Sequence, residues 1–400
     1  MAGRVKLITI IGVVIVMIIL GIGLKVFSEK RIPLEYKSLY NYLEIQLKEV
    51  SNYTTQASTI KTNAIVYGAE LLTANSNRGD DLLEDSAIEG VKLELDNMQN
   101  LGVKGVTVTI AYPLLHSRNP NFEKMLKFYK QVSQEIKNRN LTLVVETGVV
   151  FSGTSFSTYT IDFSRIPFDE YKKEAKVMYQ TIIDEIKPDY FDLGTEADTY
   201  ANLTGYTQLK DVAGFVGFMG EMIAELNKQT TKVGAGSATW LGTKFAQSLV
   251  ENVPLDFLSV HIYPINLEIV KTFEKFAELA HSQNIPIIVD ETWLYKARAN
   301  ETVENVAATT DIFKRDVYSF WQPLDEMYFQ IIVNLCKKFG CTFISPFWSK
   351  YFFSYLTYKP MIESLSYSEV VSLSNKSVVD SFMHKKLSSL GQAYQKLIRQ

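Results

Sequence analysis

Two apolar segments of the chain each end on a glutamate. Residues 191–196 read Phe-Asp-Leu-Gly-Thr-Glu, and residues 286–291 read Pro-Ile-Ile-Val-Asp-Glu. A carboxylate at the end of a buried strand is costly unless it is paired or takes part in chemistry. One carboxyl group that donates a proton, with a second that attacks or activates water, is the machinery of glycoside hydrolysis. Glu196 and Glu291 therefore predict an active site built on two carboxylates.

The elements that must position these glutamates are short apolar strands that alternate with amphipathic helices. The predicted strands are 64–72, 103–111, 141–149, 189–196, 232–237, 256–263, 286–292 and 341–347, and helical spacing covers 85–101, 122–138, 168–186 and 209–229. Such alternation predicts a parallel sheet. Eight repeats over about 330 residues favour an α/β fold of the (β/α)8 TIM barrel type.

In a barrel of this kind, catalytic groups lie at the carboxyl ends of the strands. Glu196 and Glu291 end the fourth and seventh predicted strands, which face each other across the barrel. Other polar or aromatic residues at strand ends would line the same cup: Glu70, Tyr112, Glu146, Tyr263 and Trp348. The sequence therefore predicts one cavity that these side chains share.

This placement resembles the clan A glycoside hydrolases, which are retaining enzymes on a (β/α)8 barrel. The resemblance covers about 64–400 as architecture but only a few residues as motif. It implies that Glu196 is the acid/base and Glu291 the nucleophile. His261-Ile262-Tyr263-Pro264 is similar to the end of strand six in that clan, so Tyr263 is expected to hydrogen-bond Glu291. Phe347-Trp348 resembles the tryptophan platform under the sugar.

One residue departs from the clan's usual pattern. Most members carry an asparagine directly before the acid/base glutamate, where it binds the sugar 2-hydroxyl, and this chain has Thr195. Some clan families, including one of β-mannanases, also carry Gly-Thr-Glu at this point. Thr195 is therefore expected among the substrate-binding residues, with the 2-hydroxyl contact unassigned.

Several candidates have a structural interpretation beside the functional one. Glu146 lines a sugar subsite or pairs with a lysine, and His261 is a buried core histidine or part of the site. Tyr112 contacts substrate or packs in its loop. Trp293 either forms a second sugar platform or has no contact with the sugar. Asp290 precedes Glu291, so strand alternation predicts that it points to the opposite side and is structural.

The amino terminus bears on location and on domain organisation. Residues 7–24 form an apolar run about as long as the shortest bilayer-spanning helix. We expect 1–29 to be a membrane anchor, or a signal that is cleaved, 30–60 a helical stalk or linker or a helix under the barrel, and 61–400 the catalytic domain. The expected location is the cell membrane, single-pass, with this domain extracellular, or secreted if the segment is removed.

Composition limits the remaining classes of function. The net charge of −3 over 400 residues gives no reason to expect nucleic acid. The four histidines do not cluster, and the spacing of Cys336 and Cys341, a disulfide or two free thiols, matches no zinc pattern, so no metal or cofactor is expected. The expected partner is an oligo- or polysaccharide. The alternatives are a non-catalytic sugar-binding barrel, and a metal hydrolase or phosphate-binding lyase.

Overall fold

A computed structural model describes residues 32–55, 64–263, 266–298, 301 and 310–399 of the chain. Eight parallel strands form one sheet, and each overlaps a strand predicted from the sequence. The strands are β1 (Val66–Tyr67), β2 (Gly105–Thr109), β3 (Thr142–Glu146), β4 (Tyr190–Asp192), β5 (Lys232–Ala238), β6 (Leu258–Ile262), β7 (Ile287–Thr292) and β8 (Cys341–Pro346). The predicted α/β barrel is confirmed.

The sheet closes through the chain that follows β1. The strand order is β1-β8-β7-β6-β5-β4-β3-β2. Beyond β1, the backbone N–H of Thr107 donates to the carbonyl of Ala69 at 3.1 Å, and that of Leu71 donates to the carbonyl of Thr107 at 2.9 Å. These bonds join the two ends of the sheet, so the carboxyl ends of all eight strands surround one opening.

Helices alternate with the strands around the outside of the barrel. They are α1 (Lys37–Thr55), α2 (Ala87–Leu101), α3 (Phe122–Asn138), α4 (Phe168–Thr181), α5 (Ala197–Thr204), α6 (Val212–Glu225), α7 (Thr243–Asn252), α8 (Leu267–Ser282), α9 (Thr310–Arg315), α10 (Gln322–Phe339), α11 (Pro360–Glu363), α12 (Tyr367–Met383) and α13 (Ser389–Ile398). After β1 to β8, in order, the outer-layer helices are α2, α3, α4, α6, α7, α8, α10 and α13. The additional helices α5, α9, α11 and α12 belong to the connections after β4, β7 and β8.

Helix α1 belongs to this outer layer. It packs against both α8 and α10, and its buried side chains recur at helical spacing at Leu39, Leu43, Leu47 and Val50. Tyr53 near its end donates to Glu274 of α8 at 2.6 Å. The segment expected as a free stalk, or as a helix under the barrel, is therefore a helix on the flank of the folded domain, because its apolar face is buried there.

The lower part of the barrel interior is filled by large apolar side chains. A separate buried cluster consists of Val144, Phe257, Ile288 and Phe343. Gly105 makes room for it, since a Cβ there would lie 2.6 Å from the ring of Phe343. On β5, a Cβ at Gly236 would lie 2.1 Å from the carbonyl oxygen of Ser259. The small Gly and Ala residues of β5 thus allow its backbone to lie this close to β6.

Two further expectations concern the membrane and the cysteines. None of the helices in the described part of the chain combines the length and the hydropathy needed to cross a bilayer. The expected anchor, 7–24, lies outside the described residues. Cys336 and Cys341 are buried free thiols at the junction of α10 and β8.

Candidate active site

A cavity of about 930 Å³ opens at the carboxyl ends of the strands. Its lining includes Glu146 at the end of β3, Glu196 after β4, Tyr263 after β6, Glu291 on β7 and Trp348 after β8. These residues come from five separate parts of the chain, and the barrel brings them to one place. The predicted cavity is therefore present with Glu146, Tyr263 and Trp348 in its lining, whereas Glu70 and Tyr112, expected in the same lining, are buried outside it.

Glu196 is positioned by a turn between β4 and α5. The strand ends at Asp192, earlier than predicted, but Leu193 continues along β5 through a 3.0 Å bond from its N–H to the carbonyl of Gly234. Gly194 then takes a φ of 148°, and a Cβ there would lie 2.9 Å from the ring of Tyr200. Only glycine fits this turn, which leaves Glu196 as the residue that precedes α5.

Both carboxyl oxygens of Glu196 have partners. His261 Nδ1 lies 2.9 Å from Oε1, and Thr199 Oγ1 donates to Oε2 at 2.6 Å. The Glu196 side chain is about one-fifth exposed. It is therefore held in one orientation and still accessible from the cavity.

Glu291 on β7 lines the same cavity as Glu196. Tyr263 Oη donates to Glu291 Oε1 at 2.8 Å, so the expected contact between strand six and Glu291 is present. Burial and the charge of Glu196 raise the pKa of Glu291 to about 7, against the lowering effect of His261 and of the tyrosine hydrogen bond. The protonation of Glu291 therefore changes near neutral pH.

His261 is buried and lies at the centre of the carboxyl groups. Its Nε2 is 3.6 Å from Glu146 Oε1 and 3.7 Å from Asp290 Oδ1. Burial disfavours its charged form, but the negative charges of Glu291 and Glu146 outweigh burial and raise the pKa of His261 well above its usual range. His261 is both a core histidine and part of the site: an imidazolium that balances the carboxylates around it.

Glu146 lines the cavity, and its nearest cation is His261 rather than a lysine. In the described part of the chain its Oε2 has no hydrogen-bond partner. Burial raises the pKa of Glu146 well above its usual range, with the charge of Glu291 acting in the same direction and His261 opposing both. An unpartnered carboxyl oxygen in the cavity is suited to a hydroxyl group of a ligand.

The expectation for Asp290 is wrong. Its side chain is fully buried inside the barrel and accepts a hydrogen bond from Ser259 Oγ at 2.5 Å. The ladder between β6 and β7 pairs Ser259 with Ile288 and His261 with Glu291, which leaves an extra residue on β7. This bulge breaks the alternation of the strand, so consecutive acidic residues both face the interior.

Thr195 forms part of a buried chain of hydrogen bonds below the cavity. Its Oγ1 lies 2.9 Å from both Asp192 Oδ2 and Ser259 Oγ, and Ser259 in turn donates to Asp290. Two hydroxyl protons cannot serve three hydrogen bonds, so one of the aspartates carries a proton. Burial and the charge of Asp290 raise the pKa of Asp192 well above its usual range. Thr195 borders the cavity, but its hydroxyl is used in this chain.

Trp348 lines the cavity as expected for a platform. It is partly buried, with the rings of Phe347 at 4.7 Å and Phe313 at 6.0 Å. Its Nε1 has no hydrogen-bond partner in the part of the chain that the structure describes. The position leaves an indole at the edge of the carboxylate cup.

Trp293 is not a platform, and this expectation is corrected. The side chain is fully buried and does not line the cavity. It packs 5.2 Å from the ring of Phe329 on α10 and 5.5 Å from that of Tyr351. The chain turns after β7 ends at Thr292, so Trp293 enters the core between barrel and helices.

Tyr112 is also a core residue rather than a substrate contact. It is fully buried, donates to Glu174 of α4 and meets the ring of Tyr171 at 5.0 Å. Thr109 and Ala111 line the cavity instead. Tyr112 therefore lies on the outward-facing side of this stretch.

Two aromatic residues of the cavity lining, Tyr295 and Trp240, are not among the site residues predicted from the sequence. Tyr295 lines the cavity with its ring 4.4 Å from that of Tyr263. Trp240 follows β5 and donates from Nε1 to Asp198 Oδ2 at 3.0 Å. Tyr295 lies in a polar stretch after β7 without any pattern, so no sequence signal marks it.

Two sets of side chains have ligand atoms close enough for a metal ion. Among the described residues, one set is Glu146, His261 and Glu291, and the other is Asp192, His261 and Asp290. The ligand atoms of each set lie within 4.8 Å of one another. Both sets depend on His261. Its raised pKa places a proton on the nitrogen that a metal would need, so a cation would have to displace that proton.

Comparison with solved structures shows the barrel in other proteins. An exo-β-1,4-mannosidase from Opitutaceae bacterium strain TAV5 aligns with a TM-score of 0.50 at 14% identity, over 85% of this chain and 61% of its own. A β-glucosidase from Exiguobacterium marinum aligns with a TM-score of 0.48 at 10% identity, over 85% of this chain and 98% of its own. This chain thus spans about three-fifths of the mannosidase. At these identities the likeness concerns the fold.

No protein-family model matches the sequence, and no curated protein matches it.

Proposed function

We propose that the protein is a retaining hydrolase of β-glycosides, with Glu196 as acid/base and Glu291 as nucleophile. The observation that carries this proposal is that residues at the end of β6 contact both glutamates. His261 contacts Glu196 at 2.9 Å, and Tyr263, two residues later, donates to Glu291 at 2.8 Å. A single short segment thus holds both carboxyl groups in one cavity, and double displacement uses two such groups.

In the first step a Glu291 carboxylate oxygen attacks the anomeric carbon of the bound sugar. The bond to the leaving oxygen breaks, its electron pair stays on that oxygen, and Glu196 delivers a proton to it. The product of this step is a glycosyl ester on Glu291. Tyr263 stabilises the carboxylate of Glu291 before attack through its hydrogen bond to Oε1. The same bond orients the carboxyl group, so that Oε2 is the oxygen left for attack.

In the second step Glu196 acts as a base. It takes a proton from water, the water oxygen attacks the anomeric carbon, and the ester electron pair returns to Glu291. His261 Nδ1, 2.9 Å from Glu196 Oε1, holds the carboxyl group in place in both steps. The exo-β-1,4-mannosidase that shares the barrel acts, by its name, on β-linked mannosides, which supports a β-glycoside as the substrate class.

The decisive experiment compares variants of the two glutamates on aryl β-glycosides of several sugars. We expect Glu291→Ala to abolish turnover on every glycoside. Glu196→Ala should keep most of its kcat/KM on glycosides with good leaving groups, since these need little protonation in the first step, while kcat falls because the second step loses its base. Azide should rescue Glu196→Ala as the β-glycosyl azide and Glu291→Ala as the α-glycosyl azide. The matched control is Glu123→Gln, at an exposed glutamate on α3.

Two results would overturn the proposal. Wild-type protein that binds oligosaccharides but hydrolyses none of the panel would be a sugar-binding barrel. A product released with inverted anomeric configuration, followed by NMR, would exclude the ester on Glu291.

We also propose that 7–24 anchor the protein in the cell membrane with the barrel outside, or that the protein is secreted if that segment is removed. The support is the length of the apolar run. Membranes washed at high pH should retain the full-length protein, and protease added to intact cells should digest the barrel. Recovery in the soluble cell fraction would contradict both alternatives.

A further inference from the structure

The cavity has a second part whose lining differs from the carboxylate cup. One side of α12 borders it with side chains at helical spacing, and apolar residues of other segments complete the lining. The lining residues of this apolar flank are Leu72, Phe156, Ile312, Phe313, Tyr367, Val371, Val378, Val379 and Phe382. We define these residues as the α12 flank. Val371, Val378 and Val379 offer a sugar neither a flat ring to stack on nor a hydrogen-bond partner. The polar residue of α12 in the same lining is Asn375.

The α12 flank is continuous with the proposed catalytic groups. Tyr263, which bonds Glu291, lies against Tyr295, and the ring of Tyr295 lies 5.8 Å from that of Phe313. Phe313 in turn meets Phe156 at 5.0 Å. Phe156 contacts Tyr367, the first residue of α12, at 5.3 Å. An unbroken aromatic wall therefore leads from Glu291 to the aliphatic face of α12.

Polar groups at the base of the flank are partly satisfied within the protein. Glu94 accepts hydrogen bonds from the backbone N–H of Thr73 at 2.9 Å and from its hydroxyl at 2.6 Å. Lys350 Nζ lies 4.9 Å from the centre of the Trp348 ring, on the side of the cup. Three apolar side chains of α12 are exposed as well: Leu373, Val379 and Met383 are 40%, 51% and 67% exposed. They lie among exposed polar and charged residues of the same helix, Ser368, Glu369, Ser372, Asn375, Lys376 and Asp380.

Given the proposed function, on which this inference rests, we infer that the α12 flank binds the hydrocarbon chain of a lipid aglycone. The substrate class is then a β-glycoside of a long-chain alcohol, with the sugar in the carboxylate cup and the chain along α12. A cavity of about 930 Å³ has room for both, since it lies near the upper end of the range for small-molecule sites. Each buried methylene is worth about a factor of four in affinity.

The test uses methyl, octyl and dodecyl β-glycosides of the sugar that the wild-type enzyme prefers, each below its micelle concentration. We expect kcat/KM for the dodecyl glycoside to exceed that for the methyl glycoside by at least about tenfold. Val379→Asp should lower kcat/KM for the dodecyl glycoside about tenfold and leave kcat/KM for the methyl glycoside within about twofold of the wild-type value. Val379 is half exposed, so the variant is expected to fold.

Val177→Asp is the matched control, because Val177 on α4 is 55% exposed and lies outside the cavity. It should behave like wild type on all three glycosides. No gain from the longer chain, or an equal loss by Val379→Asp on methyl and dodecyl glycosides, would overturn the lipid aglycone while leaving glycoside hydrolysis intact.

Binding separates this inference from the proposed function. If no glycoside is hydrolysed, the proposed function fails, and calorimetry with the dodecyl glycoside tests the α12 flank alone. Tight binding that Val379→Asp weakens would support the flank as a hydrocarbon site, and no binding would reject it.

Discussion

Tyr263 Oη lies 2.8 Å from Glu291 Oε1, and this hydrogen bond is the direct link between the end of β6 and the carboxyl group on β7. It opposes the effect of burial, which raises the pKa of Glu291 to about 7. Attack on the anomeric carbon requires the ionised form of Glu291. The balance of burial and the Glu196 charge against His261 and this hydrogen bond therefore sets the lower limit of the pH range in which the site can work.

The pH dependence of kcat/KM should report Glu291. Protonation inactivates the nucleophile, so activity should rise with pH up to about 7 and fall about tenfold for each unit below that value. Tyr263→Phe removes a bond that favours the carboxylate, so the acidic limb should move up by roughly one pH unit and activity at neutral pH should drop. Stopped assays from pH 4 to 9 measure both. A limb that stays in place in the variant would show that the bond does not tune Glu291.

Thr195→Val should destabilise the protein by about 1–3 kcal/mol, because it leaves Asp192 and Ser259 without their buried partner. The measurement is urea unfolding beside Thr230→Val, at an exposed threonine in the turn before β5 that should change stability by under about 0.5 kcal/mol. If Thr195 acts only through this chain of hydrogen bonds, the folded variant should bind substrate almost normally. A large loss of binding with unchanged stability would instead give Thr195 a direct contact with the sugar.

The sequence indicated the barrel because each strand is a local apolar run between amphipathic helices, and counting strands placed Glu196 and Glu291 at β4 and β7. Asp290 needed more than local pattern: only the register between β6 and β7 reveals the bulge that turns it inward. Trp293 and Tyr112 follow strand ends, where the direction of a side chain depends on how the chain turns. The α12 flank is assembled from separate segments of the chain, and no sequence motif connects them with the two glutamates.

Glu70 provides a test of stability against pH. Burial raises its pKa to about 8 from a usual value of 4.5, although Thr109 donates to it. Between these two values the folded protein holds a proton that the unfolded chain has lost, so the free energy of unfolding falls as pH rises from about 4.5 to about 8.

Glu70→Gln cannot titrate, so it should remove this slope. We expect the variant to match wild type within about 1 kcal/mol at pH 5 and to be more stable by roughly 1–3 kcal/mol at pH 8 to 9. Unfolding curves at both pH values measure the difference, with Glu123→Gln on the surface as the control. A gain of equal size at both pH values would mean that Glu70 stays ionised in the folded protein.

Trp293 and Trp348 are expected to separate stability from substrate binding. Trp293→Ala empties a fully buried site against Phe329 and should cost about 3–5 kcal/mol in unfolding free energy, while any folded fraction keeps its KM. Trp348→Ala removes a ring at the cavity edge, so it should raise KM about tenfold with a smaller loss of stability. Trp348→Phe, which restores a flat ring, should recover part of that loss. Urea unfolding and initial rates on one aryl β-glycoside measure both quantities. If Trp293→Ala raised KM while remaining stable, the ring would have to reach the substrate, against its burial behind β7.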